Sequence, residues 1–327
     1  MDPIVVVDVM GGDFAPSVVI DGIMSAVQAD QFLHIIAVGL PDAISSLEGV
    51  ERVTCVGASQ IIAMDEHPAH AIRSKKDSSI VVGCKLVKSG DAQGFFSAGS
   101  TGAVMAAATL GIGRLKKVSR PVLATVLPAI DTPVILGDIG ANADCKPDYL
   151  VQFALMMQAY ATTVLEVKKP RVRLLNIGEE ETKGSQFAQE CFALLKESVP
   201  HFEGNIEGKE ILTSMTDIIV TDGFTGNITL KTLEGTSRIV LDQVKAALTA
   251  NLFSKLYAAP LAGQVRKLKE EMDPDQFGGA PLLGTKGVVV IGHGSSSALA
   301  ISNGIQVTAT AIRNELTNKV ASALSED

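Results

Sequence analysis

The chain has no tryptophan, and aromatic residues make up only 4% of its 327 positions. An all-β sandwich of this length usually carries more aromatics. Their scarcity, beside 46% hydrophobic residues and 30 glycines, favours an α/β fold with closely packed helices. The four cysteines, Cys55, Cys84, Cys145 and Cys191, form no CxxC pair and no zinc spacing. They are expected to be reduced and buried. No apolar run approaches the roughly 18 to 20 residues that a bilayer span requires. The opening MDPIVVVDVM carries acidic residues where a signal peptide has positive charge, so a cytoplasmic protein is expected. Positive charge is also in deficit, with 28 Lys and Arg against 36 Asp and Glu and a net charge of -8, which argues against nucleic-acid partners. The GxGxxG dinucleotide fingerprint is missing as well.

What is present is one pattern repeated. In Thr216 to Leu230, TDIIVTDGFTGNITL, the β-branched run Ile218, Ile219 and Val220 suits a strand buried on both faces of a parallel sheet. Asp222, Gly223, Thr225 and Gly226 then permit a tight turn. Asn227 stands where the cap of the following helix is expected. Such a loop aims N–H groups and the positive helix end at one point, where an anion such as phosphate is stabilised. The same sequence of events recurs at Asp8 to Asp13, at Ser97 to Gly102 and at Gly137 to Asn142. Ser100 and Thr101 place hydroxyls there. Gly292 to Ser297 is a further instance, with His293 between two glycines. Strands are expected at 4–7, 34–38 and 52–56, together forming one edge of the sheet.

Other stretches carry charge without a motif. His67 and His70 are three apart, but Pro68 between them works against a helical metal pair. Asp138 and Asp144 have the chemistry of metal ligands and equally that of caps. Arg171 to Ile177 runs as a strand into Gly178 to Gly184, GEEETKG, which puts Lys183 among three glutamates at a strand end. Basic residues gather at Arg73 to Lys76, Arg114 to Arg120 and Arg266 to Lys269. A helical hairpin over 238–272 is expected, with an apolar tip at Leu256, Tyr257 and Leu261 suited to a membrane surface or a partner helix.

The motifs VDVMGGDFAP, SAGSTGAVMA, LGDIGAN, NIGEEETKGS, IIVTDGFTGNITLK and GVVVIGHGSS occur in this order. Together they resemble the acyl carrier protein:phosphate acyltransferases of bacterial phospholipid synthesis, over nearly the whole chain. The resemblance implies a three-layer αβα fold with a mostly parallel sheet, similar to isocitrate and isopropylmalate dehydrogenases and phosphotransacetylase. It also implies one two-lobed domain over 1–327 with the hairpin protruding, a homodimer, and no cofactor or metal. The implied reaction takes acyl carrier protein thioester and inorganic phosphate to acyl phosphate, which feeds a downstream glycerol-3-phosphate acyltransferase. The implied catalytic pair is Lys183 and Asn227, with His293 orienting phosphate or protonating the leaving thiolate. Ser100, Thr101 and Gly102 are expected to hold phosphate, and Asp138, Asn142, Asp222 and Gly226 to line the substrate site. Peripheral contact with the inner face of the cell membrane is a further implication.

Two other readings stand beside this one. A metal- and NAD(P)-dependent decarboxylating dehydrogenase on the same fold would use Asp138, Asp144 or Asp222 as ligands. A non-enzymatic membrane-surface scaffold would act through the apolar hairpin and leave the glycine loops without a purpose.

Overall fold

The computed structural model describes residues 2–213, 215–250, 260, 263–264, 267 and 274–325. Its framework is a single eleven-stranded sheet in the order β3-β2-β1-β4-β11-β10-β5-β6-β9-β7-β8. The first lateral half comprises β1 (Ile4–Asp8), β2 (His34–Gly39), β3 (Val53–Gly57), β4 (Gly94–Ser97) and β11 (Val288–Ile291), all mutually parallel. The second comprises β6 (Val134–Gly137), β7 (Val172–Asn176), β8 (Phe202–Glu207) and β9 (Ile218–Val220), again parallel among themselves. Between the halves, β5 (Val122–Leu127) and β10 (Ala280–Leu283) pair antiparallel with each other and with their outer neighbours. The four strands of the β6 set therefore point opposite to the strands of the β1 set.

Strands buried on both faces need no polar alternation, and β4, β6, β9 and β11 are buried at every position. Phe95 and Phe96 lie on opposite faces and are 0% and 1% exposed, each worth about 2 to 3 kcal/mol of burial. β3 at one edge is largely half-buried, as a strand with a single neighbour should be. Helices cover both faces. On one face lie α1 (Ser17–Ala29), α6 (Pro147–Val164), α7 (Gln186–Ser198), α9 (Ala298–Arg313) and α10 (Leu316–Ala323). On the other lie α3 (Pro68–Ser74), α4 (Ser79–Ser89) and α5 (Thr101–Ala107). A short α2 (Pro41–Ile44) links β2 to β3, and α8 (Gly223–Thr249) leaves β9 as a long helix. The expected α/β fold and the β1-β2-β3 edge are both observed. β5, β8 and β10 had no strand reading in the sequence.

The start of α8 is seated on the loop after β6. The Asp138 carboxylate, 0% exposed, accepts N–H bonds from Leu123, Gly140, Ala141 and Asn142 and from the Asn142 side-chain amide, at 2.7–3.3 Å. Asn142 Nδ2 also donates to the Pro121 carbonyl, and the Asn142 carbonyl accepts from Gly223 N, at 2.8 and 2.9 Å respectively. A Cβ on Gly226 would lie 1.9 Å from the Asp138 carbonyl oxygen, and one on Gly223 would lie 2.6 Å from that of Asn142. Glycine is required there by contact between backbones. At the other end of β9, Asp217 accepts from Arg171 N, Nε and Nη2, which ties the starts of β7 and β9.

Two outcomes test this seating. Gly226→Ala is expected to destabilise the fold by about 3 kcal/mol, read as a lower urea midpoint at unchanged slope. A wild-type midpoint would show that α8 does not rest on the loop. Asp138→Asn presents an amide donor to N–H groups that need an acceptor. It is expected to cost about 2 kcal/mol by the same measurement.

Candidate functional site

In the sheet order, β6, β9 and β7 are neighbours, so the loops leaving their carboxyl ends are neighbours too. The loop after β6 holds Asp138 and Asn142, the turn after β9 holds Asp222 with Asn227 in the helix that follows, and the loop after β7 holds Lys183. This is one constellation, drawn together by parallel pairing from positions as far apart in the chain as Asp138 and Asn227.

Asp222 is the N-cap of α8, its Oδ1 accepting from Thr225 N at 2.9 Å. The cap expected at Asn227 therefore lies five residues earlier, because the helix begins at Gly223. Asn227 is within the second turn, exposed, with its amide facing the Gly140 backbone at φ +135°. An exposed amide on a rigid first segment of helix is available to a ligand. Asp138 is not. Its oxygens are taken by five donors and closed to solvent, so it shapes the loop. Burial pushes its carboxyl above the ordinary range while those donors pull it down. Gly226 is likewise buried against Asp138, and Asp222 Oδ1 is engaged by its cap.

Lys183 sits in a loop held by three amides. Asn176 Nδ2 donates to the Lys183 carbonyl, Asn205 Nδ2 to the carbonyl of Glu180, and Gln189 Nε2 to that of Thr182. The aliphatic stem of Lys183 crosses Gly178, where a Cβ would lie 2.9 Å from Lys183 Cγ. The ammonium is exposed and has no ion-pair partner among the described residues, whereas Glu181 is paired with Lys196 at 2.6 Å. A free cation on a pinned loop is suited to an anionic ligand. Asn205 and Asn176 were not singled out in the sequence. Asn205 lies on an edge strand of mixed polarity that offers no signal. Cys145, in the segment after β6, donates to the Asn142 carbonyl at 3.4 Å, and burial raises its thiol to about 11. It is therefore a thiol near neutrality and no ready nucleophile.

A second constellation gathers the loops after β1, β4 and β11. Ser97 Oγ donates to the buried Asp8 carboxyl at 2.7 Å and accepts from Gly99 N at 3.0 Å. Gly292 N donates to the Ser97 carbonyl, and Asp13 N to that of Gly294. A Cβ on Gly11 would lie 2.6 Å from Gly99 N, so these glycines too are set by backbone approach. Ser100 is buried at the start of α5, Thr101 is exposed beside it, and Gly102 packs on Pro68. His293 is exposed. Its Nδ1 lies 2.8 Å from Ser295 Oγ and accepts from Ser295 N at 3.2 Å, which leaves the imidazole Nε2 as the outward atom. Asp8 and Ser97 hold this group together.

The structure thus groups the expected site residues in two sets. Lys183, Asn227, Asp138, Asn142, Asp222 and Gly226 belong to one; Ser100, Thr101, Gly102 and His293 belong to the other. The sets leave strands of opposite direction, with β10 and β5 between them. His67 is the N-cap of α3, with His70 in that helix. Leu256, Tyr257 and Leu261 lie outside the described residues, as does most of the expected hairpin. Among the described residues, no helix is long and apolar enough to cross a membrane.

Comparison with known proteins gives the family and the fold. Residues 4–319 match the family model described as "Fatty acid synthesis protein". A phosphate acyltransferase of Desulfitobacterium hafniense (strain Y51) is 42% identical over 326 residues, covering 98% of this chain and 97% of its own length. One from Heliobacterium modesticaldum is 45% identical over 309 residues, covering 93% and 92%. In fold, the chain is similar to the EutD phosphotransacetylase from Staphylococcus aureus, at TM-score 0.58 and 18% identity with 94% of each chain covered. It is also similar to a phosphotransacetylase from Streptococcus pyogenes, at TM-score 0.59 and 16% identity with 95% and 94% covered. With the family model matched over nearly its full length and relatives of such identity, the chain belongs to the fatty acid synthesis protein family and, like its phosphate acyltransferase relatives, is an acyltransferase.

Proposed function

We propose that the chain transfers a fatty acyl group from the thioester of acyl carrier protein to inorganic phosphate, releasing acyl phosphate for the acylation of glycerol 3-phosphate. The observation that carries the reading is the convergence of an unpaired, loop-held Lys183 and an exposed Asn227 amide at the ends of adjacent strands. Phosphate is itself the nucleophile, so neither a serine triad nor a cysteine thiolate is needed. A phosphate oxygen attacks the thioester carbonyl and the carbonyl electrons move to oxygen. Collapse of that tetrahedral oxyanion breaks the C–S bond, and the departing thiolate takes up a proton.

In this reading Lys183 offsets negative charge on phosphate and oxyanion, and Asn227 donates a hydrogen bond to the oxyanion. A preorganised donor is worth about 3 kcal/mol in such a transition state. Ser100, Thr101 and Gly102 hold phosphate from the opposite strand set. His293, with Nε2 outward, orients it or protonates the thiolate. The exposed apolar residues of α8, among them Ile239, Val240 and Val244, support a homodimer. The stretch beyond them, expected from the sequence as a hairpin and mostly outside the described residues, is the segment we assign to peripheral membrane contact.

The test mixes the protein with acyl carrier protein thioester and phosphate, with EDTA in one arm, and traps acyl phosphate as hydroxamate. Phosphate-dependent product is expected in both arms. Lys183→Ala and Asn227→Ala are each expected to lower kcat by about 10²- to 10³-fold with little change in melting temperature, since both side chains are exposed. Absence of product in both arms would overturn the reaction, and wild-type rates in the variants would overturn the site.

A further inference from the structure

The loop from Arg114 to Arg120, RLKKVSR, carries four cations and no acid in a chain whose net charge is -8. The fold adds a fifth from far along the sequence. Leu115 N donates to the Gly284 carbonyl and Lys286 N to the Gly113 carbonyl, both at 2.9 Å, so Arg114 and Thr285 form an antiparallel bridge that sets Lys286 beside the loop. Arg114, Lys116, Lys117, Arg120 and Lys286 are all exposed, and none has a carboxylate partner among the described residues.

The patch is rigid. Gln152 of α6 clasps the loop, donating from Nε2 to the Lys117 carbonyl at 3.1 Å and accepting from Ser119 N at 2.9 Å. The Arg114 guanidinium donates to the Ser119 carbonyl and closes the turn. The patch also borders the candidate site. The residue after Arg120 is Pro121, whose carbonyl takes the Asn142 amide, and the Asn142 loop passes under Asn227. The other two basic stretches differ. Lys75 is taken up by Glu66 at 2.5 Å and by the Ile61 carbonyl at 2.7 Å. Of Arg266 to Lys269, only Lys267 is among the described residues.

We propose that this five-cation patch is the docking surface for the acidic carrier protein that delivers the acyl thioester. The proposal rests on the thioester reading above. Unpaired cations on a held loop attract an acidic partner at low desolvation cost, and their main effect is on encounter and therefore on KM. A patch one residue from the site wall lets a carrier held there extend its thioester arm toward Lys183 and Asn227.

The experiment compares wild type with the triple variant Lys116→Glu, Lys117→Glu and Lys286→Glu on two substrates: the acyl carrier protein thioester, and an uncharged acyl pantetheine thioester. With the carrier, KM is expected to rise about tenfold at unchanged kcat, and its dependence on salt to flatten. With acyl pantetheine, rates are expected to be unchanged, which also shows that the variant is folded. An equal loss on both substrates, or no loss with the carrier, overturns the docking surface. So does a variant whose sole defect is weaker binding to phosphatidylglycerol vesicles, since the patch would then serve a membrane. If wild type turns over acyl pantetheine but not the carrier thioester, the carrier is not the partner. If it uses neither, the thioester reading itself fails.

Discussion

The carboxylate of Asp138 is the interaction on which the rest of this architecture depends. It sits at the end of β6 with no exposure to solvent, and five N–H groups from two segments, β5 and the loop that follows β6, converge on it. A buried carboxylate is tolerable only when donors replace the water it has lost. Those donors in turn define the loop from Gly140 to Asn142. The same loop supplies the surface on which Gly223 and Gly226 bring α8 to rest. The position of Asn227 follows from that contact, as does the link through Asn142 to Pro121 and the basic loop before it.

The neighbouring loop obeys a similar logic with weaker means. Lys183 is held by side-chain amides reaching backbone carbonyls, while its own ammonium is left unpaired among the described residues. Surface ion pairs such as Lys196 with Glu181 contribute little to stability. The pairing of Glu181 with Lys196 matters more for what it leaves free. A phosphate acyltransferase must gather two anions in one place, and a cation already satisfied by a glutamate would be of small use to it.

Much of the candidate chemistry could be read before the fold was known, because glycine loops following β-branched runs have a local physical signature. The strand at 218–220, the loop at 137–142 and the loop containing Lys183 all occur where the pattern places them. The pattern was less informative about roles within those loops. Asp222 and Asn227 both suit a helix cap, and only the seating of Gly223 against Asn142 decides for Asp222. Asp138 reads as a ligand in sequence because nothing local reports the donors that enclose it. β10 was hidden for a related reason: APLL is four residues between glycines, too short for a period, and it becomes a strand by pairing with both β11 and β5.

The sequence by itself determined the class of fold, the order of its strand-loop-helix units and the residue types offered at the loop tips. These depend on backbone freedom and side-chain period, which act over a few residues. Only the tertiary structure decided which tips are neighbours. Sheet order places β9 between β6 and β7 and so unites Lys183 with Asn227, while two antiparallel strands in the middle set Ser100, Thr101 and His293 on strands of the other direction. The fifth cation of the basic patch was decided in the same way, by an antiparallel bridge between residues 171 positions apart, Arg114 and Thr285. Hydrogen bonding between distant segments is not encoded in any short window of the chain, and it is there that the site is assembled.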